Sequence, residues 1–256
     1  MPILECQKVS KAYGGLLAVS DLSFAVEPGE VYAIVGPNGA GKTSLFDCIS
    51  GVNPATGGVI KFKEREIQGL RAHQISRLGL ARTFQTTVGF DSQTVLTNVL
   101  VGSTFGREGD NATLSFNNQA RDDALDALAL CGLGAQQRTL AGQLPVLARK
   151  RLMLATALAM RPQMLLLDEP FGGLNPVERA QMIDLIRTVA KTGVTILMIE
   201  HVMKAVQALA DRILVIHHGQ QIAVGPPSKV LRDRRVIEVY LGNLVPMSAE
   251  AAPGDA

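Results

Sequence analysis

Three apolar runs restrict the fold of this chain more than any other feature: VYAIV, MLLLD and VTILMIE. Each is almost continuous in apolar residues, which is the pattern of parallel strands covered on both faces. The first leads straight into a glycine-rich stretch, GPNGAGKT at residues 36–43, and then into a helical pattern over residues 42–50. Further helical patterns cover residues 177–191 and 203–210. This alternation predicts an α/β sheet. Additional strand signals lie at ILECQKV and LSFAVE, with Pro28 and Gly29 as a turn before VYAIV. From about residue 94 to residue 159 strand signals fade and patterns such as ARDDALDALALCGL take over. A helical lobe inserted between two halves of the sheet is expected there.

With 256 residues the chain is long enough to bury a sizeable core. Its 25 Lys and Arg against 23 Asp and Glu leave a net charge of +2, too little for an electrostatic footprint on nucleic acid or anionic lipid. Any partner is then recognised locally. Cys6, Cys48 and Cys131 are odd in number and far apart, which argues for a reducing compartment, no structural zinc and three small buried hydrophobes. The opening MPILECQKVS lacks the basic and apolar regions of a secretory signal. No apolar stretch is long enough to span a bilayer, because Arg161 and Pro162 separate LMLATALAM from QMLLL. The tail NLVPMSAEAAPGDA has a disorder-prone composition.

GPNGAGKT fits the pattern of a phosphate-binding loop. Gly36, Gly39 and Gly41, with Asn38 between them, let backbone N–H groups converge on phosphate oxygens, and the helix N-terminus adds positive potential. Lys42 would reach the β- and γ-phosphates, the Thr43 hydroxyl would ligate Mg²⁺, and Ser44 follows in the first turn. Such a loop needs a metal-positioning carboxylate at the end of another strand. Asp168 in MLLLDEP occupies such an end, and Glu169 beside it is suited to polarise an attacking water.

The motifs GPNGAGKTS, ARTFQ, MLLLDEP, GGLNP and MIEH occur in the order and spacing of ABC transporter ATP-binding subunits, which this chain resembles from about residue 3 to residue 242. YGGLLAVSDLSF, LGLARTFQ, TVLTNVLVG and RVIEVYLG look more narrowly like the branched-chain (hydrophobic) amino acid uptake type. The resemblance implies an α/β P-loop NTPase core with a mixed sheet, an antiparallel β-subdomain and an inserted helical subdomain. It implies one domain over residues 1–242, the helical subdomain at about 90–159, and a tail at 243–256. By the same likeness Tyr13 matches the aromatic that stacks on adenine, packing being the other reading of that ring. Gln85 matches the glutamine that senses Mg²⁺ and the attacking water, and His201 the switch histidine on the γ-phosphate. ATP and Mg²⁺ would be the ligands, with Thr43, Gln85 and Asp168 around the metal.

One motif departs from the family. Where a Leu-Ser-Gly-Gly-Gln signature loop normally clamps the ATP held by the opposite subunit, this chain reads LPVLA. Pro145 has neither hydroxyl nor N–H, and Val146 and Leu147 put branched side chains where glycine would let backbone approach phosphate. Proline still suits a helix entrance. Arg149, Lys150 and Arg151 then read either as a remnant phosphate-facing patch or as a solvated face, the latter being the usual fate of a charge run.

The resemblance therefore implies an ATPase on the cytoplasmic face of the plasma membrane. It would work with a second ABC ATPase subunit as a heterodimer, with integral membrane permeases and, indirectly, a periplasmic substrate-binding protein, and without nucleic acid. Two further readings stay open: a regulatory or inactive subunit that binds nucleotide with little turnover, which the altered signature keeps alive, and a soluble non-transport ABC ATPase.

Overall fold

The computed structural model describes residues 1–85, 89–106 and 118–241. The tail at 243–256 lies outside them. Strands β1 (Leu4–Tyr13), β2 (Leu16–Val26) and β3 (Val31–Val35) open the fold, followed by helix α1 (Lys42–Ser50). Next come β4 (Gly57–Phe62), β5 (Arg65–Glu66), α2 (Ala72–Arg77) and β6 (Leu80–Arg82). Three helices follow, α3 (Val95–Phe105), α4 (Asn118–Leu130) and α5 (Val146–Ala159), before β7 (Met164–Asp168). The chain continues through α6 (Pro176–Lys191), β8 (Thr195–Ile199), α7 (Met203–Leu209), β9 (Arg212–His217) and β10 (Gln220–Gly225). Two short helices, α8 (Pro227–Val230) and α9 (Arg234–Leu241), end the described chain.

The strands form two sheets, one antiparallel in the order β2-β1-β4-β5 and one in the order β10-β9-β3-β8-β7-β6. All neighbours in the second run parallel except β10 beside β9, so that sheet is mixed. The expected runs VYAIV and MLLLD are β3 and β7, and TILMI within the third is β8. All fifteen residues of these strands are buried. Their side chains divide by the two-residue period of a strand. Val31, Ala33 and Val35 join a core with residues of α3, α4, α5 and α6, whereas Tyr32 and Ile34 join a second core with α1 and the antiparallel sheet. Continuous apolar sequence is thus the consequence of two cores sharing one sheet.

Five strands escaped the expectation, β4, β5, β6, β9 and β10. RILVIH of β9 has the same buried apolar character as β7, but no strand is read there because charged and histidine residues bracket it. β4 is largely half-exposed and opens on two glycines, and β6 has three residues, too few to show a period. Local chemistry sets the helix ends. Asn175 Oδ1 accepts hydrogen bonds from the N–H groups of Val177 and Glu178 at 2.9 and 3.0 Å, and Glu178 returns a bond to the Asn175 N–H. With Pro176 at the first helical position, GGLNPVE is a capping box that starts α6.

Candidate functional site

β3 delivers the chain into the glycine-rich loop, and α1 starts at Lys42 with its N-terminus facing that loop. The loop is held from two sides. Gly219, in the turn after β9, donates its N–H to the Ala40 carbonyl at 3.0 Å, and the Gly219 carbonyl accepts from Ser20 N–H at 2.9 Å. Two of its glycines are required by this closeness: a Cβ on Gly36 would lie 2.1 Å from the Ile216 carbonyl oxygen, and one on Gly41 2.1 Å from that of Ala18. Gly41 also has φ +98°, in the left-handed region. Gly41→Ala is therefore expected to cost about 2–3 kcal/mol, or roughly 4–12 °C in Tm. Thermal unfolding checks this, and an unchanged Tm would show that the loop is not held as described.

Strand order brings distant residues together. β6, β7 and β8 are neighbours, with Arg82 opposite Leu166 and Asp168 opposite Ile199. Their C-terminal ends therefore release Gln85, Glu169 and His201 side by side, at the edge where ligands of open α/β sheets bind. Gln85 Nε2 donates to Glu169 Oε2 at 2.8 Å, and His201 Nδ1 lies 3.8 Å from Glu169 Oε1. All three face an open cleft of about 990 Å³, whose other walls include Tyr13, Gly36, Asn38, Gly39, Gly41, Lys42, Thr43 and Ser44. Tyr13 is 43% exposed, with Lys11 Nζ 4.8 Å from its ring centroid, so its ring does not serve core packing.

Lys42 is buried, and its Nζ donates to the carbonyls of Gly36 and Pro37 at 2.8 Å each. Burial lowers its pKa, while Glu169 and Asp168 oppose that shift. Asp168 alone among the expected residues lies behind the cleft wall. Its side chain is 5% exposed and accepts a bond from Arg82 Nη2 at 2.9 Å. Burial raises its pKa, and Arg82 pulls it back. Among the described residues no group of three or more His, Cys, Asp or Glu can hold a metal ion. The Thr43 hydroxyl and the Gln85 amide oxygen line the cleft and the Asp168 carboxylate lies behind its wall; oxygen donors of this kind suit Mg²⁺ completed by phosphates and water.

Sequence reasoning passes over two residues, Arg82 and Glu200, and misplaces a third, Lys150. Arg82, inside ARTFQ, also donates to Asp47 Oδ1 at 2.7 Å and Ser50 Oγ at 2.8 Å, tying α1 to the end of β7. A lone arginine in an apolar strand was the available signal, since a buried charge demands partners. Glu200, inside MIEH, is fully buried and bonds three backbone N–H groups. Lys150 donates to the Glu169 carbonyl at 3.2 Å. This corrects the solvated-face reading of the basic run. None of Arg149, Lys150 and Arg151 is exposed: Arg149 Nε donates to the Leu144 carbonyl and Arg151 Nη2 to Gln181 Oε1, each at 3.0 Å. The run fastens the start of α5 to its surroundings. LPVLA is a helix entrance, with Pro145 at the N-cap, no side-chain capping bond, and Val146 51% exposed.

Comparison with known proteins gives the same outline. Residues 19–172 match the family described as "ABC transporter", and residues 220–243 the one described as "Branched-chain amino acid ATP-binding cassette transporter". The chain is 37% identical to the "High-affinity branched-chain amino acid transport ATP-binding protein LivG" of Salmonella typhimurium, over 94% of this chain and 98% of that protein. It is 38% identical to BraF of Pseudomonas aeruginosa, which carries the same description, at the same coverage. Among solved structures, the ADP conformation of MJ1267, "an ATP-binding cassette of an ABC transporter", matches with TM-score 0.86 and 30% identity over 94% of this chain and 99% of that one.

Proposed function

This chain belongs to the ABC transporter family and is an ATPase subunit of it, and we propose that it powers import of branched-chain or other hydrophobic amino acids through partner permeases. The likeness to LivG and BraF and the match over residues 220–243 support that cargo class. On this reading the chain sits on the cytoplasmic face of the plasma membrane, and a periplasmic binding protein supplies the solute from the other side. Among the described residues no helix is long and apolar enough to cross a membrane. Residues 1–242 act as one domain, with the stretch at about 90–159 as its helical lobe, docked on the permeases near Gln85.

ATP enters with its base against Tyr13 and its phosphates against the loop amides and the N-terminus of α1. Lys42 meets the β- and γ-phosphates. Thr43, Gln85 and Asp168 would hold Mg²⁺, which would supply further neutralisation of phosphate charge. Glu169 polarises the attacking water, oriented by Gln85, while His201 donates to the γ-phosphate. One observation carries this reading: Gln85, Glu169 and His201, far apart in sequence, converge within 2.8 and 3.8 Å on the cleft that Lys42 lines.

The competent-looking cleft needs a clamp that LPVLA does not supply, because an apolar helix entrance offers neither hydroxyl nor close backbone to phosphate. The functional unit is then a heterodimer whose partner subunit completes this chain's site, while the reciprocal site turns over slowly. The purified chain should bind ATP tightly and hydrolyse it only when the partner ATPase is added. Hydrolysis by the chain alone, rising with the square of its concentration, would sink the heterodimer. Replacing Pro145, Val146 and Leu147 by Ser-Gly-Gly should raise turnover of the assembled pair by up to about twofold as the second site becomes active. An unchanged rate would remove LPVLA as the cause of asymmetry.

A further inference from the structure

Among the described residues of the site region, Glu200 is the one buried carboxylate without a role so far, and its partners are unusual. Its side chain has no exposed surface. Oε1 accepts the N–H of Phe171 at 3.1 Å, and Oε2 accepts those of His201 and Val202 at 3.0 Å each. Phe171 stands two residues after Glu169, which itself adopts φ +48°, a left-handed conformation uncommon outside glycine. Such a backbone persists only where its surroundings over-determine it. Here the surroundings are the Glu169 N–H donating to the Ile199 carbonyl at 3.1 Å, Lys150 and the Gly172 N–H on the Glu169 carbonyl at 3.2 Å, and Glu200 gripping the next turn.

We propose that Glu200 is a positioning residue that locks the segment bearing Glu169 to the segment bearing His201, so that the water-polarising and phosphate-contacting groups hold one mutual geometry. The inference rests on the reading of those two residues given above. One carboxylate bridges two loops separated by 29 residues, with one oxygen on each. An amide in its place keeps one accepting oxygen and turns an N–H₂ group toward backbone donors. Aspartate keeps the charge and, being one methylene shorter, serves the adjacent His201 and Val202 amides but does not span to Phe171. The lock acts on turnover and not on nucleotide capture, since none of the three bridged amides belongs to the phosphate loop.

The test compares the parent chain, Glu200→Gln and Glu200→Asp, each assembled with its partner ATPase subunit, in kcat, KM for ATP, and backbone hydrogen exchange of each purified chain. Both variants should lose kcat by about tenfold or more with KM within about twofold, the pattern of a displaced catalytic group. Exchange should quicken together at residues 169–172 in both variants, and also at residues 200–203 in Glu200→Gln. If the glutamine variant does not fold, the aspartate variant decides. Parent-like kcat in Glu200→Asp, or equal losses in kcat and nucleotide affinity, would overturn the proposal. A parent assembly without turnover would instead refute the hydrolytic reading of the site. In that event unchanged exchange at residues 169–172 in Glu200→Asp still overturns the lock, and faster exchange there supports it.

Discussion

Glu169→Gln is expected to lower ATP turnover by about a hundredfold or more while leaving nucleotide affinity within about twofold of the parent. The magnitude is that of losing a positioned general base. The geometry explains why affinity survives. Glu169 stands across the cleft from the loop amides, and its carboxylate is engaged with Gln85 at 2.8 Å rather than with the loop itself. Glutamine is nearly isosteric and keeps an oxygen for Gln85, so the cleft retains its shape. Steady-state hydrolysis beside equilibrium binding of ATP checks the result. Comparable turnover in parent and variant would remove Glu169 from the chemistry and move attention to His201, 3.8 Å away.

Lys42→Met should do the opposite, weakening ATP binding by about tenfold to a hundredfold. That range corresponds to about 1.5–3 kcal/mol for a charged hydrogen bond. Two contributions to stability oppose each other in this variant. The Gly36 and Pro37 carbonyls lose their shared donor, which costs stability, whereas removing a cation whose charge is disfavoured by burial gives some back. Tm should therefore move little while affinity falls, and titration calorimetry with ATP separates the two. Affinity within twofold of the parent would mean that the loop amides alone hold the phosphates.

Much of this arrangement was legible in the sequence because the relevant signals are local. The residues GPNGAGKT announce a tight loop, and α1 begins at Lys42 where the pattern places it. MLLLD and TILMI read as strands because two cores cover them, so no alternation obscures the run. What stayed hidden depends on partners far along the chain. The charge of Arg82 is matched by Asp47 and Asp168, 35 and 86 residues away. Nothing near it in the sequence announces either. The basic run after LPVLA misled for the same reason, since Lys150 finds its acceptor 19 residues later, on a backbone carbonyl that no composition reveals. Polar groups read as solvated when their acceptors are main-chain atoms of another element.

The chain leaves the sheet after β6, builds α3, α4 and α5, and returns at β7, the strand next to β6. β6 and β7 are parallel, with the exit at Arg82 offset two residues in register from the return at Met164, so the two attachment points lie roughly 8 Å apart. The arrangement is mechanically that of a crank on a short axle. A small swing of the helices pulls on the segment carrying Gln85, which leads from β6 toward them, and, through Lys150 of α5, on the carbonyl of Glu169. A swing of the helices relative to the sheet would therefore reach the cleft as a change in the 2.8 Å contact between the Gln85 and Glu169 side chains. A rigid sheet carries the load, and the gearing is set by where the chain departs from it.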